Sequence, residues 1–185
     1  LQGVAQGMAV YVDGARFNMP FGDTVNFDLL PDAAIDTLSI RDASPVYGLN
    51  ALGGSLVVAT KTGRSAPGVS ISIAGGDHDR EEASIEAGLT RGAFSLYVAG
   101  EARDDGGWRR YSPSTLYNGL IDLGWDGATA GVHAKLIAAD TDLTGNGAAP
   151  VELLAAARDA VFTHPDITRN KLWRGSLHPW VALGD

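Results

Sequence analysis

The stretch VYGLNALGGSLVVATKTG, from Val46 to Gly63, is the part of the sequence that decides the fold. Its glycine-rich beginning could cradle a phosphate, or it could turn the backbone before the apolar strand predicted over Ser55 to Thr60. A P-loop ends in Gly-Lys-Ser/Thr and a dinucleotide loop has the spacing Gly-x-Gly-x-x-Gly, and this stretch has neither. Because glycine adopts backbone angles that other residues avoid, the stretch predicts a turn that leads into a strand.

The residues before this stretch predict short strands, turns and a helical turn. MAVYVDGARF (Met8 to Phe17) places Asp13-Gly14 between two apolar runs, which is a strong hairpin signal. Pro31-Asp32 is typical of a helix start, since proline is tolerated in the first turn. Thr37 to Arg41 then predicts a strand.

From Val69 onward, apolar side chains recur at every second residue, the period of a β-strand. Leu120 and Ile137 break the pattern, because they fall on the otherwise polar face. The strands predicted in this way are 69–74, 83–89, 94–99, 117–125 and 130–139, with a sixth over 172–183 that Pro179 weakens.

The connections between these strands alternate in length. Polar and longer connections (75–80, 103–114 and 141–170, the last with a short helix at 150–158) alternate with tight ones (91–92 and 126–127). A soluble antiparallel sheet with one wet face explains the alternating strands as well as a membrane barrel does. Long loops at one end and short turns at the other are typical of a transmembrane β-barrel and favour that interpretation.

The charged side chains in these strands are those that a wet lumen accepts. Glu82, Glu86, Asp122, His133 and Lys135 all fall on the polar face, whereas the core of a β-sandwich could not bury them unpaired. Tyr117 and Trp125 lie at opposite ends of one apolar face, as aromatic girdles do.

Composition excludes several classes of function. The net charge of −8 disfavours nucleic acid as a partner, and the absence of cysteine excludes disulfides and thiolate metal sites. No apolar run approaches the roughly 18 residues of a membrane helix. None of the histidines (His78, His133, His164 and His178) has metal-helix spacing, and no nucleophile elbow is present. The sequence therefore predicts no enzyme, no cofactor and no metal site.

Two segments together resemble a known family. VYVDGARFNMPFGDTVNFDLLPDAAIDTLSI and PVYGLNALGGSLVVATKTG resemble the C-terminal half of the plug domain of TonB-dependent outer-membrane receptors, and 142–170 resembles an extracellular loop of some members. The positions that match are Tyr47, Gly48, Ala51, Gly53, Gly54, Thr60 and Lys61, with Ile35 and Leu38 upstream. The departures, at 41–45 and at Leu56-Val57-Val58, are conservative in physical type.

The resemblance implies a mainly β fold: an α+β plug portion over residues 1–64, followed by antiparallel transmembrane β-barrel strands over residues 65–185 in an incomplete barrel. It also implies a receptor of the bacterial outer membrane that takes up a scarce solute, such as an iron–siderophore complex. TonB would energise uptake through a segment absent from this chain, and the other partners would be outer-membrane lipid and a small-molecule or chelate ligand. The alternative is a soluble or surface-exposed β-rich binding module without transport.

The resemblance further implies a ligand-facing loop after the Asp13-Gly14 turn. It would place six side chains near a bound ligand: Arg16, Phe17, Asn18, Met19, Phe21 and Asn26. The alternative for Phe17, Met19 and Phe21 is that they pack inside the plug.

We expect the chain to be a fragment of such a receptor. The resemblance leaves out the N-terminal half of the plug, and only five or six strands are predicted, whereas the smallest closed bacterial barrels have about eight.

Overall fold

Two β-sheets account for most of the computed structural model, which describes residues 7–48, 51–145, 147–164 and 166–183. The small sheet has four strands in the order β2-β1-β4-β3, and the large sheet has six in the order β10-β9-β8-β7-β6-β5. The small-sheet strands are β1 (Ala9–Val12), β2 (Ala15–Arg16), β3 (Ile35–Arg41) and β4 (Ser55–Thr60). The large-sheet strands are β5 (Gly68–Gly76), β6 (Arg80–Arg91), β7 (Phe94–Asp105), β8 (Ser114–Asp126), β9 (Ala130–Gly145) and β10 (Asp166–Val181).

The predicted hairpin at Asp13-Gly14 is confirmed. It joins β1 to β2, and both turn residues have positive φ, 51° at Asp13 and 78° at Gly14. Two-residue hairpin turns of the favoured kind require this backbone, which Asp-Gly adopts readily. On its other side β1 pairs in parallel with β4, so the hairpin is attached to the strand that leaves the glycine-rich stretch.

The helical turn predicted to begin at Pro31-Asp32 is present as the single 3-10 turn Asp32–Ala34, and β3 follows it directly. The carbonyl oxygens that a longer helix would need are engaged elsewhere. The Tyr97 hydroxyl lies 3.0 Å from the Ala33 oxygen, and the Lys61 amide donates to the Ala34 oxygen at 2.8 Å. The described residues before position 65 therefore contain 3-10 turns (Phe27–Leu29, Asp32–Ala34 and Pro45–Tyr47) and no α-helix, in contrast to the expected α+β plug portion.

The glycine-rich stretch turns the backbone into β4, as the sequence predicts. Gly54 has φ +118°, and a Cβ placed there would lie 2.7 Å from the carbonyl oxygen of Arg41 on β3. Only glycine fits that combination of backbone angle and close approach. The Gly54 oxygen accepts from the Ala9 amide at 3.2 Å, so the turn also fixes the start of β1. Leu49 and Asn50, also in the stretch, lie outside the described residues.

All neighbouring strands of the large sheet are antiparallel and consecutive in sequence. The first five predicted strands are confirmed, and each extends beyond the residues that alternation marks. The sixth, β10, begins at Asp166 rather than Leu172, and it contains Pro179 opposite Val132. Proline is accommodated because β10 pairs with only one strand among the described residues, and an edge strand does not need every amide.

The connections of the large sheet differ between its two ends, as predicted. The loop end carries 77–79, 106–113 and the connection after β9, which contains α1 (Val151–Ala156) and so confirms the short helix. The turn end carries the tight connections 92–93 and 127–129. No helix in the described part of the chain has the length and apolar character to cross a membrane.

The two faces of the large sheet meet different surroundings. On the outward face, every strand carries exposed apolar side chains. One example from each strand, in the order β5 to β10, is Ile71, Ile85, Leu96, Ile121, Leu136 and Trp173. The small sheet packs on the inward face. Leu120 and Ile137 belong to the core between the sheets, with Val10 and Leu56. Their apolar character is therefore explained, since this part of the inward face is covered by protein.

We expect the chain expressed alone to give no stable, membrane-inserted barrel. Among the described residues, β5 and β10 pair on one side only, and unpaired strand amides in lipid cost several kcal/mol each. The measurement is heat-modifiable migration and protease resistance after refolding in detergent, with a complete outer-membrane β-barrel protein as the control. A protease-resistant, heat-modifiable species from residues 1–185 would contradict the expectation.

Candidate functional site between the two sheets

A clasp of three side chains fastens the small sheet to the large one. Asp13, in the β1–β2 turn, accepts hydrogen bonds from the Thr60 amide at 2.9 Å and the Thr60 hydroxyl at 2.7 Å. Lys135 of β9 lies 3.0 Å from the Asp13 carboxylate and donates to the Thr60 hydroxyl at 2.6 Å. One ammonium group therefore holds the end of β1 and the end of β4 at once.

The clasp continues into a second charged group on the large sheet. Asp122 is fully buried, with its carboxylate 3.6 Å from the Lys135 nitrogen and 2.9 Å from Nδ1 of His133. His133 Nε2 lies 3.4 Å from Asp126. A buried carboxylate is tolerated only with such partners, because an unpaired charge in a protein interior is very costly.

The linker between the sheets, residues 61–67, is fastened at the turn end. Arg64 pairs with Asp126 at 2.9 Å and donates to the Gly92 oxygen at 2.9 Å. The Thr90 hydroxyl donates to the Gly63 oxygen, also at 2.9 Å. A Cβ on Gly63 would collide with backbone atoms of Leu89 and Leu96, so the linker lies directly on β6 and β7.

Polar side chains of β6, β7 and β8 hold the backbone turns of the small-sheet region. Glu86 pairs with Lys61 at 2.7 Å and also contacts the Tyr97 hydroxyl. Glu101 accepts from the Ala33 amide at 2.7 Å, and the Asn118 amide donates to the Asp28 oxygen at 3.0 Å. Polar side chains on the predicted polar face thus bond to other parts of the protein here.

Three of the six side chains expected to face a ligand stabilise their own loop. Arg16 pairs with Asp23 at 2.9 Å. Asn18 accepts from the Val10 amide at 2.8 Å and donates to the oxygens of Met8 and Asp23. Asn26 caps the turn Phe27–Leu29 by accepting from the Asp28 amide.

The three apolar side chains of that loop divide between core and surface. Phe17 belongs to the core, with the Arg174 guanidinium 5.1 Å from its ring centre, and Met19 packs against the core. Phe21 is 95% exposed. Because Asn18 contacts the beginning of β1, whereas Asp13 at its other end meets Lys135, the loop lies on the side away from the turn end.

At the loop end, two connections of the large sheet contact each other. Arg110 pairs with Asp159 at 2.8 Å, and the Tyr111 and His164 rings stack with centres 4.2 Å apart. The hydrogen bond from Arg110 lowers the pKa of the Asp159 carboxyl below its usual value. In the described part of the chain, no group of three or more His, Asp or Glu side chains is arranged to hold a metal ion.

Sequence reasoning missed the clasp. It places Lys135, Asp122 and His133 on one polar face, and the structure brings these three together. For Asp13 the sequence predicts only a turn. The signal that could have indicated more is Lys135, a lone lysine on that face, since a buried lysine needs a carboxylate partner.

The comparisons with solved structures concern both sheets. The unliganded ferric citrate transporter FecA matches 96% of this chain with a TM-score of 0.74 and 15% identity. The open form of the ferric-catecholate import receptor Fiu from E. coli K12 matches 78% of this chain with a TM-score of 0.65 and 15% identity. The siderophore receptor PiuA from Acinetobacter baumannii matches 75% of this chain with a TM-score of 0.63 and 14% identity. The chain spans 29%, 22% and 20% of the lengths of those three proteins, respectively. No family model and no curated protein matches the chain.

The large sheet, which is apolar on its outward face, and the smaller sheet on its polar inner face together share the fold of these solved structures. The particular fold is that of the TonB-dependent receptors, as the motifs around Asp13 and Gly54 indicate. The solved structures with this fold are transport receptors rather than enzymes.

Proposed function

We propose that the chain is part of an outer-membrane receptor that binds a scarce solute outside the cell and imports it with energy from TonB. Residues 1–64 form the C-terminal part of the plug and residues 65–185 the first barrel strands. The observation that carries the proposal is the outward face of the large sheet. Its apolar side chains are exposed in all six strands, while on the inward face Lys135 pairs with Asp13 and Glu86 pairs with Lys61.

A bilayer explains that face better than water does. Along β8, Tyr117 and Trp125 are separated by about 27 Å of strand, at roughly 3.4 Å per residue. A tilted strand of that length matches the apolar band of about 25 Å in outer-membrane barrels. The β-rich binding module, the alternative function, would leave a larger apolar patch in water than soluble proteins normally carry.

The solute that we propose is an iron–siderophore complex or a related metal chelate. The names of the similar solved structures specify ferric catecholate, ferric citrate and a siderophore. At the loop end, this chain offers aromatic and cationic side chains, among them Trp108 with Arg109 over its ring and Tyr111.

The test uses the full-length protein in its own bacterium. Disrupting the gene should slow growth under iron limitation with one ferric chelate as the iron source, and removing TonB should abolish the same uptake. The protein should fractionate with the outer membrane. Recovery of the folded full-length protein in the soluble fraction would contradict transport and favour the binding module.

Phe21→Ala in the full-length receptor should raise the Kd for the imported chelate about tenfold, the loss of one aromatic contact. The side chain is 95% exposed, so its truncation leaves the fold intact. Phe94→Ala, which removes an exposed phenylalanine at the turn end, is the matched control and should leave Kd unchanged. An unchanged Kd in Phe21→Ala would remove this loop from the ligand site.

A further inference from the structure

The outward face of the large sheet has an apolar groove at the turn end. It occupies about 490 Å³ and is lined by side chains of β6 to β10, among them Leu96, Leu123, Trp125, Val132, Ala134 and Leu177. Ala134 is shorter than Leu123 and Leu177, its neighbours in the same cross-strand row. The groove therefore lies over Ala134 on β9, between the longer side chains of β8 and β10.

Arg91 lies at the rim of this groove. It is the first residue of a row that crosses four strands, from β6 to β9. In this row Arg91 pairs with Phe94, Phe94 with Trp125, and Trp125 with Val132, so the cation is followed by two aromatic rings. In the part of the chain that the structure describes, Arg91 is the one charged side chain in the two outward rows nearest the turn end. Its guanidinium has no hydrogen-bond or ion-pair partner among the described residues, although it is exposed beside apolar surface.

The charges at the loop end of the same face are arranged differently. Arg169 pairs with Asp142 at 2.8 Å and Lys171 with Asp140 at 2.9 Å. Basic side chains there already have carboxylate partners from the neighbouring strand. Among the described residues of the outward face, a cation without a carboxylate partner is found at the turn end alone.

We propose that this groove is a binding site for an anionic phospholipid of the inner leaflet, with an acyl chain in the groove and the phosphate against Arg91. The proposal rests on the proposed function, because it needs the outward face to be in a bilayer whose periplasmic side is the turn end. Guanidinium pairs with phosphate in a two-pronged geometry that lysine cannot reproduce. Trp125 and Phe94 lie in the same row, at the level where aromatic rings meet headgroups.

The experiment uses the full-length receptor in nanodiscs of phosphatidylethanolamine and phosphatidylglycerol, followed by native mass spectrometry in mild detergent. Phosphatidylglycerol retention should fall about fivefold in Arg91→Gln, because one basic side chain near a membrane surface contributes about that factor. Ala134→Leu, which fills the groove and keeps the charge, should lower retention as well. Arg169→Gln removes a basic side chain at the loop end and should change nothing.

Equal retention in the wild type and in both Arg91→Gln and Ala134→Leu would overturn the proposal. So would an equal loss in Arg169→Gln, since that would indicate only bulk annular lipid. Folding of each variant is checked by heat-modifiable migration, and Arg91→Lys, which should retain an intermediate amount, serves if Arg91→Gln does not fold. If the wild-type receptor does not insert into membranes at all, the proposed function fails. If it inserts but phosphatidylglycerol retention is the same in Arg91→Gln as in the wild type, only this inference fails.

Discussion

Lys135→Met is expected to weaken the docking of the small sheet by about 3–5 kcal/mol, the usual cost of removing one partner from a buried ion pair. The substitution keeps the volume of the side chain but leaves Asp122 fully buried without its ammonium partner. It also removes the link between Asp13 and Thr60 at the ends of β1 and β4. Hydrogen exchange of the β1 and β4 amides in the full-length protein measures the change in opening free energy.

Lys171→Met provides the matched control for this prediction. Lys171 also pairs with an aspartate across β9 and β10, at 2.9 Å, but its side chain is 69% exposed and that of Asp140 is 60% exposed. An exposed pair contributes about 0–1 kcal/mol. If both lysine variants exchange like the wild type, the clasp does not hold the small sheet in place.

Gly54→Ala is expected to destabilise the small sheet by about 3 kcal/mol, the upper end of the cost of a strained backbone position. Alanine rarely adopts the φ of +118° found there, and its methyl group would lie 2.7 Å from the Arg41 oxygen. The same hydrogen-exchange measurement applies, read at the Ala9 amide, which donates to the Gly54 oxygen.

Gly14→Ala separates the cost of the positive φ from the cost of the contact with the Arg41 oxygen. Gly14 also has positive φ, +78°, but nothing lies within 4 Å of a Cβ placed there. That substitution should lower the stability by only about 1–2 kcal/mol, because its cost comes from the left-handed backbone alone. A Gly54→Ala variant no worse than Gly14→Ala would show that the contact with Arg41 is unimportant.

The large sheet could be predicted from the sequence because its information is local. Alternation marks which residues share a face, and a pair such as Asp13-Gly14 specifies a turn by its own backbone preferences. The start of the helical turn at Pro31-Asp32 is local in the same way, but its end after Ala34 depends on distant residues. Tyr97 and Lys61, distant in sequence, contact the carbonyl oxygens that a helix would have used internally.

The clasp could be predicted only in part. Period two places Lys135 and His133 on one face, and register places Asp122 opposite Lys135. No local pattern brings Asp13 to Lys135, because that contact depends on how the two sheets pack. The six residues of the proposed ligand loop came from resemblance, and their contact with a ligand stays a prediction.

The parallel pairing of β1 with β4 has a consequence for the order of folding. Every pairing in the large sheet joins strands adjacent in sequence, whereas Ala9 meets Ser55 only after β2, β3 and the glycine-rich stretch have been traversed. Closing such a long loop costs more chain entropy than forming a hairpin. We therefore expect the hairpins of the large sheet to form early and β1 to take its place late, so that the small sheet assembles against a surface that is already present.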